Sequence, residues 1–420
     1  MIKLLTCVYL SLLVGPAKAQ PDSSVLVFRR ANVIDGFSDK PLNDVTVTVT
    51  NGKITGINKG TKSVPSNAIV IDLNGKWLMP GYIDAHVHFG NTKAAQTALS
   101  LGATTVRTMH CDRFLDIQIR EAHRSGQRDL PDVIAAGYQM RPDMFPTFFE
   151  DFPALADMKP RVTGTENVRR VVRALVSRGV DHIKFLATER AGTPETDPRK
   201  RTFTDEEIAA IVDEAGKAGL AASAHAHGDE GAYAAVKAGV KSIEHGTFIT
   251  DSTISLMKKN KTFFVPTFTG GAQQPSRPED RDNPILQERR RIGIPLRNKL
   301  TVQFFRLGIP MAGGTDLRYM TTELSMADEA LYFQKAGLSP MKILQIITSG
   351  SAKCLGIDNR TGTIRKGMEA DLIVLGANPL ESLEALKDIR LIVNNGKLVA
   401  NKLLEGLRPP KPTKEKARLR

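Results

Sequence analysis

Six residues in this chain have the types and spacing that metal-assisted hydrolysis needs. His86 and His88 lie two apart, His225 and His245 each end an apolar run, Asp316 follows Gly313-Gly314-Thr315, and Lys184 stands between Ile183 and Phe185. Imidazole nitrogens and a carboxylate oxygen are ordinary ligands for a divalent cation. On a strand, residues two apart share one face, so His86 and His88 can reach the same ion. Taken singly, each residue has a plain structural explanation: a hydrogen-bonded core histidine, an aspartate capping a helix, a lysine facing water. Strands covered on both faces make such isolated polar groups costly. Gathering them at one end of a sheet serves chemistry better than packing.

The elements that carry these residues alternate. Apolar strand-like runs occur at Ile83–His88, Thr104–Met109, Asp132–Ala136, His182–Ala187, Ala221–His227, Lys241–His245, Thr262–Phe268 and Ile309–Gly313. Amphipathic helical stretches such as Glu166–Ser177 and Thr204–Ala218 separate them, the second opening on a Thr204-x-x-Glu207 capping box. Eight such repeats over roughly 250 residues predict a (β/α)8 TIM barrel. Both ends of the chain read differently. Ser24–Ile34, Val45–Ile57, Ala68–Asp72, Asp371–Leu375 and Ile389–Val399 are strand-like, with Asn51-Gly52, Asn74-Gly75 and Asn395-Gly396 as turns. We expect residues 20–77 and 360–405 to form a composite β-sandwich and 78–359 the barrel. Two long segments, Arg141–Lys159 and Gly270–Asn283, follow the third and seventh predicted strands on the side where barrel enzymes place their sites.

The basic start Met1-Ile2-Lys3, the apolar run Leu4–Gly15 and Ala17-Lys18-Ala19 predict a signal peptide over 1–19 and an exported protein, periplasmic or secreted. The run is shorter than the roughly 20 residues of a membrane span. Cys111 and Cys354, the only cysteines beyond it, are too far apart to suggest a disulfide framework or thiolate site. The net charge of +13 is concentrated in the tail, where Arg408–Arg420 sets six basic residues against Glu415. A basic tail over 406–420 reads as a solvated end, so no nucleic-acid partner is expected. A homo-oligomer is compatible with the sequence, which is silent on the point.

Pro80-Gly81-Tyr82-Ile83-Asp84-Ala85-His86-Val87-His88 resembles the first-strand motif of the amidohydrolase superfamily. The order His-x-His, Lys184, His225, His245, Asp316 is similar to its binuclear subtype, and Gly362–Leu372 resembles its return into the terminal β-domain. Ala224-His225-Ala226-His227-Gly228 and Ile243-Glu244-His245-Gly246 are closest to prolidase-like and carboxypeptidase-like members, a neighbourhood that includes enzymes cleaving ochratoxin-type amides. The resemblance implies two divalent metal ions, zinc by first choice, with manganese or cobalt as alternatives. His86, His88 and Asp316 would hold one and His225 and His245 the other. Lys184 would bridge them after its amine takes up carbon dioxide as a carbamate. A metal-bridging hydroxide would attack the carbonyl, and Asp316 would pass the proton to the leaving amine. His227 would contact the substrate or orient His225. Two departures concern the substrate. His110 follows Thr108-Met109 where many relatives carry Arg-Asp-x-Gly, and Tyr138 stands where many place a histidine, either to donate to an oxyanion or to pack.

The expected reaction is amide hydrolysis of a dipeptide or N-acyl amino acid. Candidates to hold its carboxylate are Arg141, Arg190, Tyr233 and Arg318, among which the sequence does not choose. Phe145, Phe148, Phe149 and Phe152 suggest an aromatic-accepting pocket or a self-packed loop. His123 and His182 read as surface and structural. Rival readings are a lactonase or phosphotriesterase on the same site, a mononuclear deaminase independent of Lys184, and a non-catalytic binding protein on a retained barrel.

Overall fold

The computed structural model describes residues 25–60, 64–273 and 280–403, so the expected signal peptide and the basic tail lie outside the described residues. Strands from both chain ends share one sheet. They are β1 (Val25–Val33), β2 (Leu42–Thr50), β3 (Lys53–Lys59), β4 (Ala68–Asp72), β5 (Trp77–Pro80), and, from the far end, β13 (Leu372–Leu375), β14 (Ile389–Asn394) and β15 (Lys397–Asn401). The order is β15-β14-β13-β5-β1-β2-β3, with β4 also paired to β1. Asn51-Gly52 and Asn395-Gly396 turn the β2–β3 and β14–β15 hairpins with both residues at positive φ, the geometry of a two-residue hairpin loop. Asn74-Gly75 has the same backbone but makes no hairpin, because β4 and β5 both run parallel to β1. Leu26 and Phe28 of β1 share an apolar cluster with Leu391 and Val393 of β14, three strands along the path, so the sheet curls around its own core.

Between these ends lie two parallel sheets. One has β6 (Tyr82–Val87), β7 (Ala103–Thr108) and β8 (Asp132–Ile134). The other has β9 (His182–Leu186), β10 (Ala221–Gly228), β11 (Ser242–Phe248) and β12 (Phe263–Val265). At one seam, Met140 N–H donates to Lys184 O (2.7 Å) and Leu186 N–H to Met140 O (2.9 Å). At the other, the 309–317 segment donates from Ala312 to Phe264 O (3.1 Å) and from Asp316 to His86 O (2.8 Å), and accepts at Gly313 O from Ala85 (2.9 Å). The predicted strand Ile309–Gly313 is therefore reduced to isolated bridges, Phe264 with Met311 and Val87 with Leu317. Pro310 has no N–H for a ladder. Gly313 and Gly314 pass so close to Met326, Val265 and His86 that a Cβ would fall within 3.0 Å of each.

Helices cover the parallel strands. Asp205–Lys217 begins on the predicted capping box, with Glu207 N–H on Thr204 Oγ1 (3.2 Å) and Thr204 N–H on Glu207 Oε2 (2.9 Å). The Arg141–Lys159 segment, expected as a loop, contains a helix (Pro146–Asp151) and a 3-10 turn (Pro153–Met158). Its phenylalanines explain the order: Phe148 and Phe149 are buried, and Phe148 packs on Tyr138 and Phe152. His123, expected on the surface, is buried, its Nδ1 on Leu130 O (2.9 Å). Among the described residues no helix is long and apolar enough to cross a membrane.

Candidate metal centre

The C-terminal ends of the parallel strands bring five of the six sequence-predicted ligands, joined by His227, together in two groups. His86, His88 and Asp316 form one and His225, His227 and His245 the other, the potential ligand atoms of each lying within 4.8 Å of one another. The groups adjoin: the rings of His86 and His245 are 5.1 Å apart, those of His225 and His245 4.5 Å. Asp316 Oδ1 lies 3.3 Å from His86 Nε2 and 3.0 Å from His88 Nε2. His245 (φ 72°) and Asp316 (φ 59°) both hold left-handed backbone conformations, which cost a non-glycine residue of order 1 kcal/mol and cluster at functional sites.

Hydrogen bonds behind the rings decide which nitrogen faces inward. Glu244 Oε2 takes His86 Nδ1 (2.8 Å), Thr247 Oγ1 takes His227 Nδ1 (2.8 Å) and Thr267 Oγ1 takes His245 Nδ1 (2.7 Å). In each case Nε2 is left for the site. His225 is reversed, its Nε2 facing Glu189 O at 3.2 Å. Burial holds the imidazoles of His225 and His245 well below the usual range and brings His227 down to about 3, so all three are neutral donors near pH 7. Asp316 is pushed up by burial, but His86 and His88 outweigh that and hold it well below the usual carboxylate range.

Lys184 lies at the seam of this arrangement. It is 1 % exposed, and its Nζ has no hydrogen-bond partner among the described residues. Burial pulls its amine down to about 8. Its charge opposes protonation of His88, His225 and His227, and of His86 too, where Asp316 and Glu244 outweigh burial and Lys184 and raise the imidazole, so Lys184 is felt by both groups. An unpartnered ammonium among neutral imidazoles is an expensive arrangement that a group placed between them would relieve.

Under the site runs a buried polar network that sequence reasoning missed. Arg107 donates from Nε to Ala85 O (2.8 Å), from Nη1 to Ser223 Oγ (2.9 Å) and from Nη2 to Glu244 Oε1 (2.9 Å). Glu244 thereby joins Arg107 to His86. Burial pushes its carboxyl up, but Arg107 and His86 bring it down to about 2.

The two histidine groups open into a cavity of about 1080 Å³. Of the carboxylate-binding candidates, Arg190 and Arg318 line it. Arg141 does not, being paired with Asp143 and stacked over Phe145. Tyr233 does not either; it is 40 % exposed on the helix Asp229–Ala238. Tyr138 is fully buried, its hydroxyl donating to Asp151 Oδ2 (2.6 Å) and accepting from Arg113 N–H (3.1 Å), so the phenol packs and is not free for an oxyanion. His110, given no role by sequence, lines the cavity and stacks on Phe145 at 4.3 Å. Its position just past the end of β7 was the available signal. Of the four loop phenylalanines only Phe145 reaches the cavity. The helix Pro284–Leu307 supplies Arg297, which no motif marked.

This architecture is that of a known class. Residues 77–399 match the Amidohydrolase family, and the chain belongs to it. Among its relatives is the ochratoxinase of Aspergillus niger, 26 % identical over 375 residues, covering 78 % of this chain and 76 % of that one. A solved Xaa-Pro dipeptidase with methionine bound in its active site is 28 % identical with a TM-score of 0.81, covering 90 % of this chain and all of the other. The solved A. niger ochratoxinase superposes with a TM-score of 0.74 at 24 % identity over 90 % of this chain and 96 % of that one, a likeness of fold. Such neighbours give the chain a TIM-barrel-like α/β fold.

Proposed function

We propose that this protein is an exported, metal-dependent hydrolase that cleaves the amide bond of dipeptides or N-acyl amino acids. The observation that carries the reading is the gathering, in one cavity, of two three-residue donor groups and the buried amine of Lys184, which has no hydrogen-bond partner among the described residues. The relatives named ochratoxinase and Xaa-Pro dipeptidase support an amide substrate. The two parallel sheets, stitched at both seams, are read as one (β/α)8 barrel, and the curled sheet of the chain ends as its β-sandwich companion.

Imidazole and carboxylate donors suit zinc, manganese or cobalt. His86, His88 and Asp316 would hold one cation, His225 and His245 a second. An amine brought down to about 8 is partly neutral at pH 7 and able to add to carbon dioxide, losing a proton to become a carbamate. Such a carbamate would supply oxygen donors for the cations and would remove the unpaired positive charge. Bound cations would polarise the amide carbonyl and acidify the attacking water. Asp316 Oδ2, the oxygen left by His86 and His88, takes the water's proton and delivers it to the amine nitrogen as the C–N bond breaks. His227 Nε2 faces the substrate carbonyl. Glu244, Thr247 and Thr267 hold the rings so that these atoms need not reorganise.

Elemental analysis of purified protein, with turnover of N-acyl amino acids and dipeptides, tests the reading. About two metal equivalents and amide cleavage are expected, with Lys184→Ala losing both metal and activity. Two equivalents with turnover only of lactones or phosphotriesters retires the amide assignment. No metal and no turnover after reconstitution retires the enzyme.

A further inference from the structure

The cavity wall is strongly one-signed. Arg190, Arg281, Arg289, Arg290, Arg297 and Arg318 line it against Asp112, Asp316 and Glu323. Asp316 is engaged by His86 and His88, and Arg289 is spent on the carbonyls of Ala191 (3.1 Å) and Thr193 (2.8 Å). Arg290 and Arg318 make no ion pair or hydrogen bond with a described residue.

Arg297 is the unusual one. It is 4 % exposed, yet it has no carboxylate within ion-pair distance among the described residues. Nη1 is held by Pro266 O and Thr267 O, both at 3.0 Å, and Nε leans on Gly293 O at 3.4 Å. No hydrogen bond with a described residue engages Nη2. The guanidinium lies against Gly271 so closely that a Cβ there would come within 2.0 Å of Nη2. Thr267, whose carbonyl holds it, also holds His245, and the Arg297 charge is felt at His227. Glu329 and Asp316 act on its charge only from beyond ion-pair distance; a guanidinium taken out of water with no carboxylate in contact is destabilising unless a bound anion completes it, and its planar fork matches a carboxylate.

We propose that the cavity takes a leaving amino acid with two anionic groups, its α-carboxylate on Arg297 beside the histidines and an acidic side chain on the outer arginines Arg290 and Arg318. The substrates are then dipeptides or N-acyl derivatives of acidic amino acids. The proposal rests on the amide-hydrolase reading for its reaction but not for its anion site, so binding and turnover are measured separately.

L-Glutamate, L-methionine and L-methioninol have similar length and differ in the side-chain charge and the α-carboxylate. By calorimetry on the metal-loaded protein, glutamate binds about 10-fold more tightly than methionine, the scale of one hydrogen bond to a charged group, and methioninol more weakly than either. Arg297→Gln weakens both amino acids. Gly271→Ala keeps the charge but displaces the guanidinium tip and does the same, so the effect is not one of misfolding. Arg290→Gln with Arg318→Gln brings the glutamate-to-methionine ratio toward one. Equal binding of the three ligands, or both Arg297→Gln and Gly271→Ala binding like the parent, overturns the proposal. Anion binding in the expected order without cleavage of any amide would leave the site and remove the amide-hydrolase reading. Cleavage of Ala-Met and Ala-Glu with equal kcat/KM would do the reverse.

Discussion

Removing the carboxylate of Glu244 tests the buried network beneath the histidines. Glu244 is fully buried, with Oε1 accepting from Arg107 at 2.9 Å and Oε2 facing His86 Nδ1 at 2.8 Å. Arg107 is itself 2 % exposed, and its remaining partners are neutral: a carbonyl and two serine hydroxyls. Glu244→Ala strands a buried guanidinium, and breaking a buried pair by deleting one partner costs about 3–5 kcal/mol. That is a large share of the ~5–15 kcal/mol that ordinarily separates folded from unfolded protein. The same change frees the His86 ring, and losing the partner that orients a ligating histidine costs roughly 10–100-fold in metal affinity. Urea unfolding, followed by circular dichroism, reads the first effect, and competition with a chromophoric chelator reads the second. Arg107→Met with Glu244→Leu removes both charges together and recovers most of the stability but not the metal affinity. A loss below about 1 kcal/mol for Glu244→Ala, with metal affinity unchanged, would refute the argument that this pair is sealed from water and aims His86.

Two further outcomes are expected. Tyr138→Phe deletes the hydroxyl bonded to Asp151 and lowers stability by ~1 kcal/mol with kcat unchanged, because the phenol never reaches the cavity; a fall in kcat at parental stability would restore it to catalysis. Glu329 is raised to about 7 by burial, against the opposing hydrogen bonds from Thr269 and Phe268. Its folded pKa lies above its unfolded value near 4.5, so its contribution is fully present below that value and is lost as pH rises through 7. Urea stability therefore falls over this window, by up to about 3 kcal/mol from this group, and Glu329→Gln flattens the slope; an unaltered slope would contradict the assignment.

Much of the fold was legible because its physics is local. The capping box at Thr204 and the two-residue turns at Asn51 and Asn395 depend on neighbours within a few residues, and each appears where expected, as do most of the apolar strand runs. The Ile309–Gly313 segment misled for a non-local reason, since close approach to Val265, His86 and Met326 governs its backbone. Arg141–Lys159 lacks a helical period because its phenylalanines bury themselves among Phe114 and Tyr138.

At the site, the sequence by itself determined the donor inventory: imidazoles and a carboxylate near the ends of apolar runs, and a lysine in the middle of one. Tertiary structure decided how they meet. Glu244 and His245 are consecutive, and strict alternation would send them to opposite faces of β11. Both nevertheless reach His86, because His245 adopts φ 72° and Gly246 φ 57°. Arg107 and Arg297 carried no motif, since what distinguishes them is burial and the partners they have or lack, quantities defined only once distant segments pack. The chain wrote down its ligands locally, while the charge around them was set by contacts between residues over a hundred positions apart.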